Sequence, residues 1–311
     1  MTDIAIPIGG SRSLRRPRTL GERIDVPRRV TLVAAGLVVV LVGLLLLFIG
    51  LNGIQLFTVS GVPIGDIFGA TWSPSSDPQV FGILPFILGT LGVMVVAAVI
   101  AAPLSIGLAI FMSEVAPGWA KAITRPAMEV FVGIPSVVYG FLGLTVLVPF
   151  LRTNFRGLGF TLGFSWFAGS LVLALMILPT IASIAYDALR TVPGELRTGS
   201  LALGTTRWQT IRHILLPAAR GGLITAVILG MMRAAGEALA VQMVIGNRPV
   251  VPTSITAPMT TLTSQITLDM GNTVQGEPWN QALWTMGLIL LVMSFSFVSL
   301  ARWIGRRGAR P

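Results

Sequence analysis

Arg233 and Glu237 stand four residues apart inside a stretch, Gly221 to Ile245, that holds no other ionisable side chain. A charge at the centre of a bilayer costs about 2.5–3.5 kcal/mol on insertion scales, so both residues need a partner or water. On a continuous helix an i, i+4 pair shares one face. Two roles then stay open: a neutral clamp between helices, or an element of a translocation path. Other chemistry is scarce. There is no cysteine and one histidine, His213, which excludes thiol catalysis, thiolate metal sites and multi-histidine metal sites. The phosphate-cradling G-x-x-x-x-G-K-[ST] loop needs a lysine after a glycine turn. The only lysine, Lys121, lies in Gly118-Trp119-Ala120-Lys121-Ala122 and does not match. No metal, no cofactor and no enzymatic activity are expected of this chain; it does not hydrolyse ATP by itself.

The elements that must position Arg233 and Glu237 are membrane helices. Only 11% of the 311 residues are charged and 53% are hydrophobic, against about 25% charged in a soluble protein. A span needs roughly 20 apolar residues, and six stretches qualify: Val30 to Leu51, Gly82 to Met112, Val130 to Leu151, Trp166 to Tyr186, Gly221 to Ile245, and Ala282 to Ala301. The expected fold is all-α and integral to the membrane, with six transmembrane helices. The net charge of +10 is a matter of topology and not of nucleic-acid binding, because the basic residues fall in blocks between the spans. Eighteen of the 22 lie ahead of span one, between spans two and three, between four and five, and after six. The positive-inside rule then places both termini in the cytoplasm. The first apolar run is too long for a cleaved signal core.

The chain reads as a basic cytoplasmic tail (1–29), a first helix with its extracytoplasmic loop (30–80), a core with five further helices (81–303) and a short cytoplasmic tail (304–311). The arginines of the first segment orient the chain and can meet anionic lipid headgroups. The loops at 52–79 and 246–281 are too long for tight connections; each can dock an external partner, re-enter the membrane or pack down alone.

The loop 187–217 ahead of span five contains Pro193 and Gly194, which suit a helix start. Gly204 should break that helix, and a second short amphipathic helix, from about Arg207 to Leu215, should end at Pro217. A helix–turn–helix of this kind suits insertion into a partner's groove.

This stretch resembles the coupling loop of binding-protein-dependent ABC importer permeases, E-A-A-x3-G-x9-I-x-L-P. Gly204, Ile214, Leu216 and Pro217 fit; Thr198, Gly199 and Ser200 depart from the first three positions, with Glu195 one turn earlier as an electrostatic substitute. In that family the loop docks on a cytoplasmic ATPase, and Trp208 is expected to face it. Three further stretches resemble the phosphate-importer permeases of the PstC type: Phe81-Gly82-Ile83-Leu84-Pro85, Gly133-Ile134-Pro135-Ser136-Val137-Val138-Tyr139-Gly140, and Arg233-Ala234-Ala235-Gly236-Glu237-Ala238-Leu239-Ala240-Val241 followed by Met243-Val244-Ile245-Gly246-Asn247.

The resemblance implies an ABC type I importer permease in a bacterial plasma membrane, moving inorganic phosphate by alternating access. It implies a second permease chain, an ATPase dimer and an extracytoplasmic phosphate-binding protein as partners. The guanidinium fork of Arg233 would meet phosphate oxygens, and Glu237 would keep that binding weak enough for release. Ser136, Tyr139 and Asn247 are the other polar candidates for the path or its outer gate. Ser136 can instead serve backbone carbonyls beside Pro135, and Tyr139 can sit in an aromatic belt or pack between helices. Gly140, Gly143, Gly230 and Gly236 should permit close helix approach. A permease for sulfate or molybdate, and a gradient-driven secondary transporter, are the alternatives.

Overall fold

The computed structural model describes the backbone of residues 25–308 and the side chains of 28–304. The basic residues ahead of position 25, and residues 309–311 of the expected C-terminal tail, lie outside the described residues. The chain divides into two compact units, Met1–Phe48 and Ile49–Pro311. In the first, the helix α1 (Asp25–Thr58) exposes every described side chain up to Leu47, nearly all of them apolar. A surface of that kind is stable only against lipid or another apolar face. The stretch Arg28–Thr58 is 31 residues long, about 45 Å of helix at 1.5 Å per residue, longer than the hydrocarbon layer.

In the second unit a short hairpin, β1 (Trp72–Ser73) against β2 (Val80–Phe81), leads into α2 (Leu84–Ile110). Trp72 meets the rings of Phe81 and Phe86 edge-on. There follow α3 (Gly118–Gly133), α4 (Ser136–Leu142), α5 (Val148–Asn154), α6 (Trp166–Arg190), α7 (Gly194–Ala202), α8 (Arg207–Thr210), α9 (Leu216–Ala235), α10 (Leu239–Ile245), α11 (Leu262–Asp269) and α12 (Pro278–Gly308). Among the described residues six stretches are long and apolar enough to cross a membrane: Arg28–Thr58, Leu84–Val115, Ser136–Asn154, Trp166–Arg190, Arg207–Ala235 and Pro278–Ile304. α6 is the most deeply buried of them and packs on α2, α9 and α10. Glycines set the approach: a Cβ on Gly140 would lie 2.8 Å from Ala240 Cα, one on Gly143 2.7 Å from Val244, and one on Gly230 would collide with Ile181. Gly236 differs, having no such neighbour; it ends α9.

Prolines shape the spans through one repeated device. Wide i→i+5 turns occupy Phe111–Val115, Gly143–Leu147 and Ile211–Leu215, and each lies just ahead of a proline: Pro117, Pro149 and Pro217. Proline lacks an N–H and its ring collides with the carbonyl four residues back. At Gly143–Leu147 and Ile211–Leu215 a wider turn relieves the clash and the helix runs on. After Phe111–Val115 the helix ends instead, with Ala116 extended ahead of Pro117. The expected helix end at Pro217 is therefore wrong. α8, the wide turn and α9 run on as one stretch, Arg207–Ala235.

Several span boundaries also differ from the sequence expectation, the first span running on to Thr58 and the fifth starting at Arg207. The third span begins at Ser136 and not at Val130, because Ile134 ahead of Pro135 is forced into extended backbone. The fifth ends at Ala235, ten residues early, with α10 as a separate short helix. α12 continues through Gly308, into the segment read as a tail.

Candidate functional site

The break after Ala235 separates Arg233 from Glu237. The expectation that they share one helical face fails, and no ion pair joins them among the described residues. Arg233, half-buried, donates from Nη1 to Thr180 Oγ1 on α6 at 2.5 Å. Glu237 instead turns its carboxylate to the start of α10, where Oε1 accepts from the Ala240 N–H at 3.2 Å. An acceptor there satisfies one of the donors that a helix start leaves unpaired. The Glu237 carbonyl accepts from Thr263 Oγ1 at 2.7 Å. The guanidinium is thus held by a neutral hydroxyl, while the carboxylate is engaged locally.

Of the other expected path residues, Tyr139 lies in α4, at the start of the third span. Its hydroxyl donates to the Phe131 carbonyl at 2.9 Å and ties α4 back to the end of α3. Ser136 is half-buried in the first turn of α4, which packs on α10. Asn247 sits at the far end of α10 with φ +50°, after Gly246 at φ +94°, and its Nδ2 donates to the Gln242 carbonyl at 2.8 Å. Gly246, in the left-handed conformation, ends α10, and the Asn247 side chain bonds back to the last turn of that helix.

Of the courses open to the segment 246–277, packing down into the protein is the one its middle takes. Thr260, Thr261, Thr263, Ser264 and Gln265 are buried. Gly89 on α2 leaves room for the Thr260 carbonyl where any Cβ would stand, and the Leu262 N–H donates to Thr90 Oγ1 at 2.9 Å. Thr180 and Thr263, the partners of Arg233 and Glu237, were not among the sequence candidates. Thr180 carries a weak signal, being a polar residue beside Pro179 in an apolar span.

At the loop 187–217, α7 runs from Gly194 to Ala202 and Gly204 turns the chain with φ +81°. Thr206 and Gln209 form a reciprocal capping box at the start of α8. Ser200, at the third departing position, knots α7 to α8, since its hydroxyl lies 2.7 Å from Thr205 Oγ1 and 3.1 Å from Thr210 Oγ1. Thr198 only bonds back along α7; Gly199 and Glu195 are exposed. Leu201, Leu203 and Trp208 are exposed too, Leu203 at 86%. Ile214 and Leu216 are half-buried, and Pro217 is exposed. The loop therefore presents an apolar, unpartnered face from a stiff, knotted turn.

A helical bundle of this pattern is the fold of ABC importer permeases. The MetNI methionine ABC transporter contains a chain of 19% identity that superposes with a TM-score of 0.55, covering 71% of this chain and 94% of that one. Residues 103–310 match the family of binding-protein-dependent transport system inner membrane components, and the chain belongs to that family. It is 51% identical over 297 residues to a probable ABC transporter permease protein, YqgH, of Bacillus subtilis, covering 95% of this chain and 94% of that one. It is 35% identical to the phosphate transport system permease protein PstC of Mesorhizobium japonicum, over 88% of this chain and 87% of the relative. Identity to the corresponding PstC 1 of Mycobacterium tuberculosis is 33%, over 84% of each chain. The protein is a multi-pass inner-membrane permease subunit of an ABC importer, and ATP hydrolysis belongs to a separate subunit.

Proposed function

We propose that this permease carries inorganic phosphate, as one half of a transmembrane pair completed by a second permease chain. The observation that carries the reading is Arg233: a guanidinium in a membrane span whose partner in the chain is the Thr180 hydroxyl and not a carboxylate. A guanidinium without a bound counter-charge keeps its attraction for an anion, and its planar fork suits tetrahedral oxygens. Glu237, near but engaged at α10, opposes tight retention of that anion. Relatives named phosphate transport permeases, matched over most of the chain, support the same substrate.

Both termini face the cytoplasm in this reading. A dimeric ATPase grips the loop 187–217 through Leu201, Leu203 and Trp208, and its closure rocks the helices so that the path opens outward. A phosphate-binding protein outside the membrane then delivers the anion. Ser136 and Tyr139 line the approach to Arg233, and Asn247 shapes the outer end.

The test is uptake of labelled phosphate by the complete complex in vesicles. Arg233→Gln should abolish uptake with assembly intact, and Arg233→Lys should recover little, since it keeps charge and loses the fork. Undiminished uptake in Arg233→Gln refutes the path role. Sulfate or molybdate that competes as well as unlabelled phosphate refutes the substrate. Gly204→Arg and Trp208→Glu should each remove the ATPase from the purified complex; sustained uptake without an ATPase would mark a gradient-driven transporter.

A further inference from the structure

Glu114 lies in the wide turn that ends the second span, and Arg197 lies in the middle of α7, 83 positions along the chain. Arg197 Nη2 donates to Glu114 Oε1 at 2.7 Å. The other ion pair among the described residues, Arg125 with Glu129, is a 3.6 Å contact within one turn of α3, with both side chains about 70% exposed. The long-range pair is different in kind, since the Glu114 side chain is 12% exposed and that of Arg197 34%. Exposed pairs contribute almost nothing. A pair partly withdrawn from water fixes geometry, and losing one member leaves the other uncompensated.

The surroundings show what the pair does for α7. That helix packs on α8 and on the wide turn at Ile211–Leu215, and the Ser200–Thr205–Thr210 knot fixes it to the same side. Toward the end of the second span the packing is open. A cleft of about 250 Å³, lined by Val115, Leu201, Arg207, Thr210 and Ile211, adjoins the pair. α7 is therefore joined to that span through a charge-assisted bond, with free volume beside it. An apolar contact would slide under load, whereas a charge-assisted bond resists both separation and slip.

We propose that Glu114–Arg197 is a transmission strut. When α7 moves, the strut carries the displacement straight to the end of the second span, in parallel with the covalent route through α8 into α9. Glu114 and Arg197 are thus positioning residues for transport. The inference rests on the reading that an ATPase moves α7.

The test uses the complete complex reconstituted in vesicles, with Glu114→Gln, Arg197→Gln, the exchange Glu114→Arg/Arg197→Glu, and Glu129→Gln as control. Three quantities are read: ATPase retained on purification, ATP hydrolysis, and phosphate taken up per ATP. Both single variants should keep the ATPase and hydrolyse ATP within about twofold of wild type, while uptake per ATP falls about tenfold. The exchange should restore most of that ratio, and the control should not move it. The strut is refuted by single variants with an unchanged ratio, by hydrolysis and uptake falling together, by loss of the ATPase, or by an exchange as uncoupled as the singles. A wild-type complex that lacks the ATPase or carries no phosphate refutes the functional reading, and the strut with it. A working wild type beside any of the variant results just named refutes the strut alone.

Discussion

Thr180→Val isolates the support of Arg233 without touching its charge. Valine replaces the hydroxyl by a methyl of similar size, so the packing between α6 and α9 should survive while the 2.5 Å bond from Arg233 Nη1 disappears. A hydrogen bond to a charged group in a water-soluble protein is worth about 1.5–3 kcal/mol. Interhelical bonds inside membranes average nearer 0.6 kcal/mol, with a maximum near 1.7. The membrane scale governs here, because Arg233 sits within the fifth span. If positioning the guanidinium is what the bond supplies, initial phosphate uptake should fall between about 3-fold and about 18-fold, those energies converted at 0.59 kcal/mol per factor of e. Thr180→Ser keeps an oxygen and should stay near wild type. The assay is labelled phosphate uptake by the complete complex, normalised to assembled protein. Wild-type uptake in Thr180→Val beside a dead Arg233→Gln would show that the arginine works without its hydroxyl partner.

Two substitutions at glycines separate strain from collision. Gly204→Ala meets no atom within 4 Å but must adopt φ +81°, costing about 1–2 kcal/mol; amide exchange in α7 should quicken while the remaining spans keep their protection. Gly89→Ala drives a Cβ into the Thr260 carbonyl, so the buried segment around Thr260 must move; a loss of about 1–3 kcal/mol is expected, read as a lower melting temperature in detergent, whereas Gly107→Ala, with open space around it, should not lower it.

Six spans could be read from the sequence because each is a long run without compensating charge, a signal that survives errors of a few residues at either end. The break after Ala235 could not, since the apolar run continues through Leu239–Ile245 and Gly236 has helical backbone angles. Only a three-dimensional neighbour, Thr263 on the Glu237 carbonyl, shows where the chain turns. For the segment around Thr260 the sequence left docking, re-entry and packing down open, and local composition could not choose among them. Threonines and serines usually mark exposed loops, yet here Thr261 bonds Thr263 and Ser264, Thr263 reaches the Glu237 carbonyl, and Thr90 on α2 accepts from the Leu262 N–H. In the loop 187–217, Gly204 was legible from its type alone. The knot of Ser200 with Thr205 and Thr210 was not, because a serine where the family has alanine reads as loss and not as exchange. Glu114 and Arg197 are too far apart in the chain for any local pattern to join them.

The three wide turns ahead of prolines bear on how this chain tolerates change in length. Each holds one residue more per hydrogen-bonded ring than regular α-helix, and one residue corresponds to about 100° of rotation. Deleting a single residue inside Ile211–Leu215, together with replacing Pro217, should let that stretch rewind as ordinary helix while the faces above and below keep their orientation. The same deletion in mid-span, for example between Leu223 and Gly230, would swing everything beyond it by more than a quarter of a turn and take Arg233 away from α6.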